Sequence, residues 1–489
     1  MHVNIRMARF IRAALASSIA CCMAFFMLST AARSDYECEN GSAMPHWMAP
    51  SGYNAHDYDK CVAYLEQTDD DGITNGSKLS FIYDPSDPTT WGTNWSGDFF
   101  AWIETGGEKR LRSIDISARY QVGSFDFSGC SELVEIRASE NYLNELNVAN
   151  CASLVKVNLN ENSVSVPRLI GCGALTHLYI SFNPLAELDL SPCFALEFLT
   201  CYSSGLTELD VSRCTRLDYL SCYSNRLTEL DVSGCPLLSE LNCSLNELGE
   251  LNVSQCPLIE VLDCSFTGLD SLELSSNYAL RELRCASNAL EELELSPCSA
   301  LRVLDCRSNA LSELDVSQTP ELLMLFCSGN SLVQLDLSSN PALAFDRILA
   351  SGNGFVGYDF SRHYYGDSGS LFARPADGAS FEGFFSESGT LISEGQWVDY
   401  EQAFVYSFEG LPSGTVTVRF GGGSPALPGD IDDNGSVSVS DAVIALRIAM
   451  GIIDGASFNA DNADMDSNGS ITISDAVVIL RLAMGLNQP

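Results

Sequence analysis

Positive charge is what this chain has least of. Its 489 residues include 26 Lys and Arg against 64 Asp and Glu, and only four of the 26 are lysines. A formal charge of −38 argues against a nucleic-acid partner, because phosphate neutralisation needs clustered Lys and Arg. It argues equally against an anionic membrane surface. Histidine is scarce as well, with five in all. There is no HExxH pair and no phosphate-cradling glycine loop, so no motif supports an enzyme. Beyond Leu28 no apolar run reaches the roughly 18 residues a membrane span requires. A hydrophobic content of 46% against 18% charged residues excludes a disordered chain.

The N-terminus has the layout of an export signal. Arg6, Arg9 and Arg12 precede an apolar run from Ala13 to Leu28, and the small residues Ser29, Thr30, Ala31 and Ala32 follow. Residues 1–32 are expected to be removed, leaving a secreted protein without membrane insertion.

A repeat of period 21 fills the middle of the chain. Leu196–Arg216 reads LEFLTCYSSGLTELDVSRCTR and Leu217–Leu237 reads LDYLSCYSNRLTELDVSGCPL. Ten such units run without insertion over 133–342. Each holds two apolar alternations, LxxLxC and LxxLDV, and each alternation has the period of a strand with one buried face. A unit this short cannot bury a core alone and must stack on its neighbours. Asn141, Asn162, Asn183, Asn225, Asn246, Asn288, Asn309 and Asn330 recur between the two alternations, where an amide can satisfy the backbone of a tight corner. The pattern resembles the leucine-rich repeat family in its short bacterial form. That resemblance implies a parallel β-solenoid and a mainly β protein.

Most of the 19 cysteines fall into that register. Cys201, Cys222, Cys243, Cys264, Cys285, Cys306 and Cys327 form one column, and Cys130, Cys151, Cys172, Cys193, Cys214, Cys235, Cys256 and Cys298 form another. Both replace buried positions of the pattern, so they read as core-filling thiols. Such cysteine ladders resemble those of internalin-type surface adhesins. On the opposite side of the first strand, alternation exposes positions 3, 5 and 7 of each unit. His177, Tyr179, Phe198, Tyr202, Tyr219 and Tyr223 are thereby candidates for a ligand face, with Arg284, Asp305 and Arg307 as a charged patch farther along.

Residues 33–110 hold four of the five tryptophans, Trp47, Trp91, Trp95 and Trp102, and resemble the N-terminal cap of leucine-rich repeat proteins. His56–Gln67 has helical spacing. Cap packing explains the aromatics better than a sugar site. Cys38 and Cys61 are the cysteines of this region and are expected to form a disulfide. The solenoid is expected over 111–360, a small β-rich module over 365–422 and a linker over 423–427. A GDSG motif at 366–369 resembles the nucleophile segment of chymotrypsin-like proteases, but no upstream His and Asp are placed to serve it.

Residues 428–489 carry the sharpest chemistry. Two twelve-residue loops begin at Asp430 and Asp464. In each, oxygen ligands stand at positions 1, 3, 5, 7 and 12, with Gly at 6 for the turn. Each loop runs into a twin segment, DAVIALRIAMG or DAVVILRLAMG. The arrangement resembles the type I dockerin, an all-α calcium-binding module. The resemblance implies two Ca²⁺ sites, one of Asp430, Asp432, Asn434, Ser436 and Asp441, the other of Asp464, Asp466, Asn468, Ser470 and Asp475. It also implies cohesin contacts at Val439, Ser440 and Arg447 and, equivalently, at Ile473, Ser474 and Arg481.

These features add up to a non-catalytic, secreted binding protein. The repeats would recognise a protein or glycan, and the dockerin-like end would attach the chain to a cohesin at a cell surface or in a cellulosome-like complex. The alternatives are an accessory subunit with hydrolytic activity in such a complex, or an adhesin unconnected with polysaccharide degradation.

Overall fold

The computed structural model describes residues 48–94, 97–345, 347–351, 354–361, 368–376, 379–398, 403–409, 412–421, 431, 437–450, 452–453, 463, 465 and 471–484. The chain divides into two compact units, Met1–Met48 and Ala49–Pro489. Apart from Met48, every described residue lies in the second.

The 21-residue period becomes a solenoid. Ten three-residue strands, from Glu135–Arg137 to Met324–Phe326, pair in parallel, each residue opposite the one 21 positions away, as in Phe198↔Tyr219 and Leu199↔Leu220. The central apolar residue of each strand and the residue two further on, a Cys in seven of the ten, are buried; Leu199, Cys201, Leu220 and Cys222 have no exposed surface. Each fully buried Leu contributes roughly 2 kcal/mol of transfer free energy, and the stacking of rungs is what removes it from water.

The corner after each strand is held as the asparagines suggested. Asn246 donates to the carbonyls of Cys222 and Cys243 at 3.1 and 2.9 Å and accepts the N–H of Leu227 at 3.0 Å. Asn162, Asn183, Asn309 and Asn330 repeat this geometry. The residue before each asparagine adopts a left-handed conformation, from Glu140 (φ 57°) to Ser308 (φ 54°). That conformation is costly for a non-glycine residue, and the amide hydrogen bonds around it offset the strain. Where the asparagine is missing, Thr267 and Ser204 donate their hydroxyls to the carbonyls of Cys264 and Tyr202.

The second alternation does not form the expected strand in most units. Tyr142–Asn147 and Gln334–Asp336 are strands, and bridges form at Asn147↔Arg168 and Asn252↔Glu273; elsewhere the segment is extended without a ladder. The Asp of the LDV-type segment accepts the N–H of the residue two further on, as Asp189, Asp210, Asp231, Asp315 and Asp336 do for Ser191, Ser212, Ser233, Ser317 and Ser338. Side-chain capping of this kind holds the turn that follows the segment, after strand Gln334–Asp336 as well as where no strand forms. Part of the acid excess therefore serves turns, and the serine hydrogen bonds hold Asp210, Asp231 and Asp336 below the usual carboxylate range.

Both ends of the solenoid are covered. At the start, helix Ala55–Leu65 buries Tyr58, Cys61, Val62 and Leu65, the spacing of one apolar helical face. Trp91 is 2% exposed and packs on Tyr58 and Phe100 with ring centroids 5.5 and 5.7 Å apart. It is a core residue of the cap, while Trp47 and Trp95 lie outside the described residues. Asp57 clasps the helix to the following strand, accepting from Arg110 Nε at 2.7 Å and from Leu111 N at 3.0 Å.

At the far end, Gly354–Ser361 pairs antiparallel with the last repeat strand and extends the same sheet through Ser368–Pro375, Ala403–Glu409 and Gln396–Val398. A five-stranded sheet containing Arg347–Ser351 and Thr415–Gly421 packs beside it. Strands Arg347–Ser351 and Gly354–Ser361 join the last repeat to these sheets, the first pairing with Gln334–Asp336 and Thr415–Gly421 and the second with Met324–Phe326 and Ser368–Pro375. Arg374 ties the joint, donating to the carbonyl of Asn330 at 2.7 Å.

Candidate functional site

The repeat strands present one broad face, and the aromatic candidates meet on it. His177, Phe198 and Tyr219 occupy the same position of three adjacent rungs. Phe198 and Tyr219 stack with centroids 4.1 Å apart and planes 5° from parallel, and His177 stacks on Phe198 at 5.8 Å and 15°. Tyr202 and Tyr223 form a second stack at 4.4 Å and 11°. Tyr179 leans on Phe198 at 5.1 Å. All six are half-buried, because each ring covers its neighbour. The hydroxyl of Thr200 sits on the same strand face, 7% exposed as a residue, with no hydrogen-bond partner.

Two contributors lay outside the sequence reading. Phe182, at a left-handed corner and 49% exposed, meets Tyr202 edge-on at 5.3 Å. Lys156 lies over the Tyr179 ring at 5.4 Å. The signal for Phe182 was a large apolar residue where most other corners carry Ser or Glu.

The expected charged patch is neutralised within itself. Arg307 donates to both oxygens of Asp305, at 2.9 and 2.6 Å, and Arg284 pairs with Glu282. Close carboxylates sit two residues from each arginine on the same face, so little net field remains.

The thiol columns are interior. All fifteen are buried. Burial pushes Cys201 up to about 12 and Cys298 up to about 11, which suppresses the reactive thiolate. In the second column Cys151 and Cys172 donate to the carbonyls of Phe127 and Val148, both at 3.1 Å. Cys61 is buried in the cap, and its expected partner Cys38 lies outside the described residues.

Among the described residues, one group of His, Cys and carboxylate could offer three metal ligands, namely His56, Asp57 and Cys130. Its donors are already engaged: both Asp57 oxygens accept from Arg110, and His56 Nε2 is 2.9 Å from the Ser128 carbonyl. Of the protease-like motif, Ser368 and Gly369 lie within the paired strand Ser368–Pro375. Gly366 and Asp367 lie outside the described residues.

Near the C-terminus, the helices Val439–Ala449 and Ile473–Ala483 pack through Ala442, Ala445, Ala476 and Ile479. Each opens with a capping box, closed by Asp441 in one and Asp475 in the other. Both carboxylates also reach back along the chain, where Asp441 accepts the N–H of Ile431 at 2.9 Å and Asp475 that of Met465 at 2.9 Å. Each twelve-residue loop is therefore drawn end to end by a buried carboxylate, which suits a position-12 cation ligand. Asp430, Asp432, Asn434, Ser436, Asp464, Asp466, Asn468 and Ser470 lie outside the described residues. The expected contact positions Val439, Ser440, Arg447, Ile473, Ser474 and Arg481 are all exposed.

No family model matches the chain, and no curated protein matches it. Solved structures similar to it include the functional domain of InlJ from Listeria monocytogenes, which includes a cysteine ladder. That likeness has 18% identity and a TM-score of 0.38 and covers 64% of this chain and 90% of the other. YopM, a leucine-rich effector protein from Yersinia pestis, is similar at 21% identity and a TM-score of 0.39, over 48% of this chain and 67% of that one. The leucine-rich repeat domain of APL1B is similar at 23% identity and a TM-score of 0.32, over 44% and 61%. At these scores the solenoid assignment rests on the strand register alone.

Proposed function

We propose that this is a secreted, non-catalytic binding protein of the leucine-rich repeat type. Its strand face takes a protein or glycan ligand, and its C-terminal helix pair docks on a cohesin at a cell surface or in a cellulosome-like complex. The observation that carries the ligand half is the double aromatic stack of His177, Phe198 and Tyr219 beside Tyr202 and Tyr223. Aromatic side chains supply large contact area at little conformational cost, and these project from a rigid ladder.

The docking half draws on the equivalence of the helices. Val439, Val443 and Arg447 are exposed on one helix, and Ile473, Val477 and Arg481 stand at the same positions of the other, also exposed. Two interchangeable faces would let a cohesin bind in either of two orientations. Calcium would supply the charge that lets the clustered carboxylates fold together. Asp430, Asp432, Asn434, Ser436 and Asp441 would hold one ion, and Asp464, Asp466, Asn468, Ser470 and Asp475 the other.

Probing combined peptide and glycan arrays with the calcium-loaded full chain tests the ligand half. Replacement of Tyr202, Tyr219 and Tyr223 together by Ala is expected to remove the captured signal. Binding that survives the triple change sinks the aromatic face as the ligand site. Polysaccharide hydrolysis by the full chain would favour the accessory-enzyme alternative instead.

A further inference from the structure

Sugar rings dock on aromatic side chains by lying flat against an open ring face. On this strand face the inner ring faces are taken, because Phe198 lies between His177 and Tyr219, and Tyr202 and Tyr223 cover one another. The first stack ends at Tyr219, which is half-buried and on which no further ring stacks from the next rung. In register with Tyr219 on that rung is Glu240, an exposed carboxylate. Asp218 precedes the ring and is exposed but stands off the outward alternation, and Asp263, half-buried, stands one rung beyond Asn242, accepts the N–H of Ser265 at 3.1 Å and lies in register with Arg284. Among the described residues, no cationic side chain forms an ion pair with Asp218, Glu240 or Asp263, whereas the neighbouring arginines 216, 281 and 284 are already paired with Glu197, Glu260 and Glu282.

The chain itself shows what fits such a place. At the other side of the aromatic group, Lys156 covers the Tyr179 ring at 5.4 Å, and farther along Arg307 covers Phe326 at 5.1 Å while paired with Asp305. In the second case a cation lies over an aromatic face with a carboxylate beside it. Tyr219 with Glu240 offers the same combination with the cation missing. The negative face of the ring and the carboxylate act together on a cation. Thr200, whose buried hydroxyl lacks a partner, adds a polar group within the same aromatic surface, on the rung before Tyr219.

We propose that the strand face from Tyr219 to Asp263 docks a basic protein segment, one arginine or lysine of which seats over Tyr219 against Glu240. This rests on the ligand-face reading above and selects protein over glycan within it. Charge complementarity decides the choice: at the outward positions Glu240 and Asp263 form no ion pair with a cation of the chain, among the described residues.

The test is affinity measurement on the calcium-loaded full chain with three probes. These are a short peptide of alternating arginine and glycine, its glutamate counterpart, and cello- and xylo-oligosaccharides. The arginine peptide is expected to bind, and Glu240→Gln and Tyr219→Leu are each expected to weaken it about three- to tenfold. Glu229→Gln removes the same charge from the second half of a repeat and is expected to leave affinity unchanged. Equal losses from Glu240→Gln and Glu229→Gln would mean diffuse attraction to an acidic chain and would overturn the proposal. If an oligosaccharide or the glutamate peptide binds and Tyr223→Ala abolishes it, the ligand face stands and its cationic specificity falls. If no probe binds, the proposal falls, and the ligand-face reading falls separately only when the array signal also survives the triple tyrosine change.

Discussion

Asp359 holds Ser328 twice, accepting its backbone N–H at 3.0 Å and its hydroxyl at 2.8 Å. A third bond comes from the N–H of Cys327, also at 3.0 Å. Ser328 belongs to the last rung, and no further repeat follows to satisfy its outward donors. One carboxylate from the closing strand Gly354–Ser361 substitutes for part of the missing turn.

Burial pushes the Asp359 carboxyl up to about 6, against the lowering effect of its hydrogen bonds. Because the folded-state value lies above the unfolded one, near 3.9, the folded chain binds the extra proton between those limits. Its contribution to stability is therefore present below about pH 4 and lost as pH rises through about 6. Comparison of urea unfolding for wild type and Asp359→Asn cancels the other acids. The difference between the two is expected to shift by about 3 kcal/mol across that window, with no difference in slope as the contrary result.

Removal of one corner amide is expected to be costly. Asn246→Ala leaves three carbonyls and the N–H of Leu227 without the partners they now have, in a residue 5% exposed. The expected loss is about 2–4 kcal/mol, measured by chemical denaturation. Asn225→Ala, at a half-buried corner, is expected to lose less.

The ladder thiols are expected to stay silent toward Ellman's reagent in the native protein and to react together on unfolding. Fifteen buried cysteines outside the cap make the change easy to count. Mass analysis after alkylation, with and without reduction, reports on Cys38 and Cys61. Two additional sites after reduction are the outcome expected for a disulfide, and labelling of both without reduction excludes one.

Chelation is expected to unfold the C-terminal helices and spare the solenoid. Loss of the two eleven-residue helices Val439–Ala449 and Ile473–Ala483 would lower the far-ultraviolet helical signal, while exchange protection of the repeat strands persists. Helices that stay folded in chelator would remove the case for metal-coupled folding.

The solenoid was legible in the sequence because its signal is repeated. The Leu and Cys positions recur every 21 residues, and a one-residue slip would expose all of them together. The aromatic candidates followed from the same alternation. Phe182 did not, since it sits at a corner instead of on the alternating segment. Nor could periodicity foresee that the LDV-type segments would pair as strands in only a few units, because a capped turn and a half-buried strand share the same apolar spacing. The strands within 347–361 lack the Leu and Cys spacing of the repeats, and their place is set by pairing with Met324–Phe326 and Gln334–Asp336 on one side and with Thr415–Gly421 on the other.

The most direct measurement of the binding-protein account is calorimetric titration of the full chain with a type I cohesin, in calcium and in chelator. The account expects saturable binding of one cohesin in calcium and none in chelator. Val439→Asp or Ile473→Asp alone should leave one docking face intact, and the two together should abolish binding. A calcium-loaded chain that fails to bind, or binding indifferent to chelator and to the double change, would contradict it.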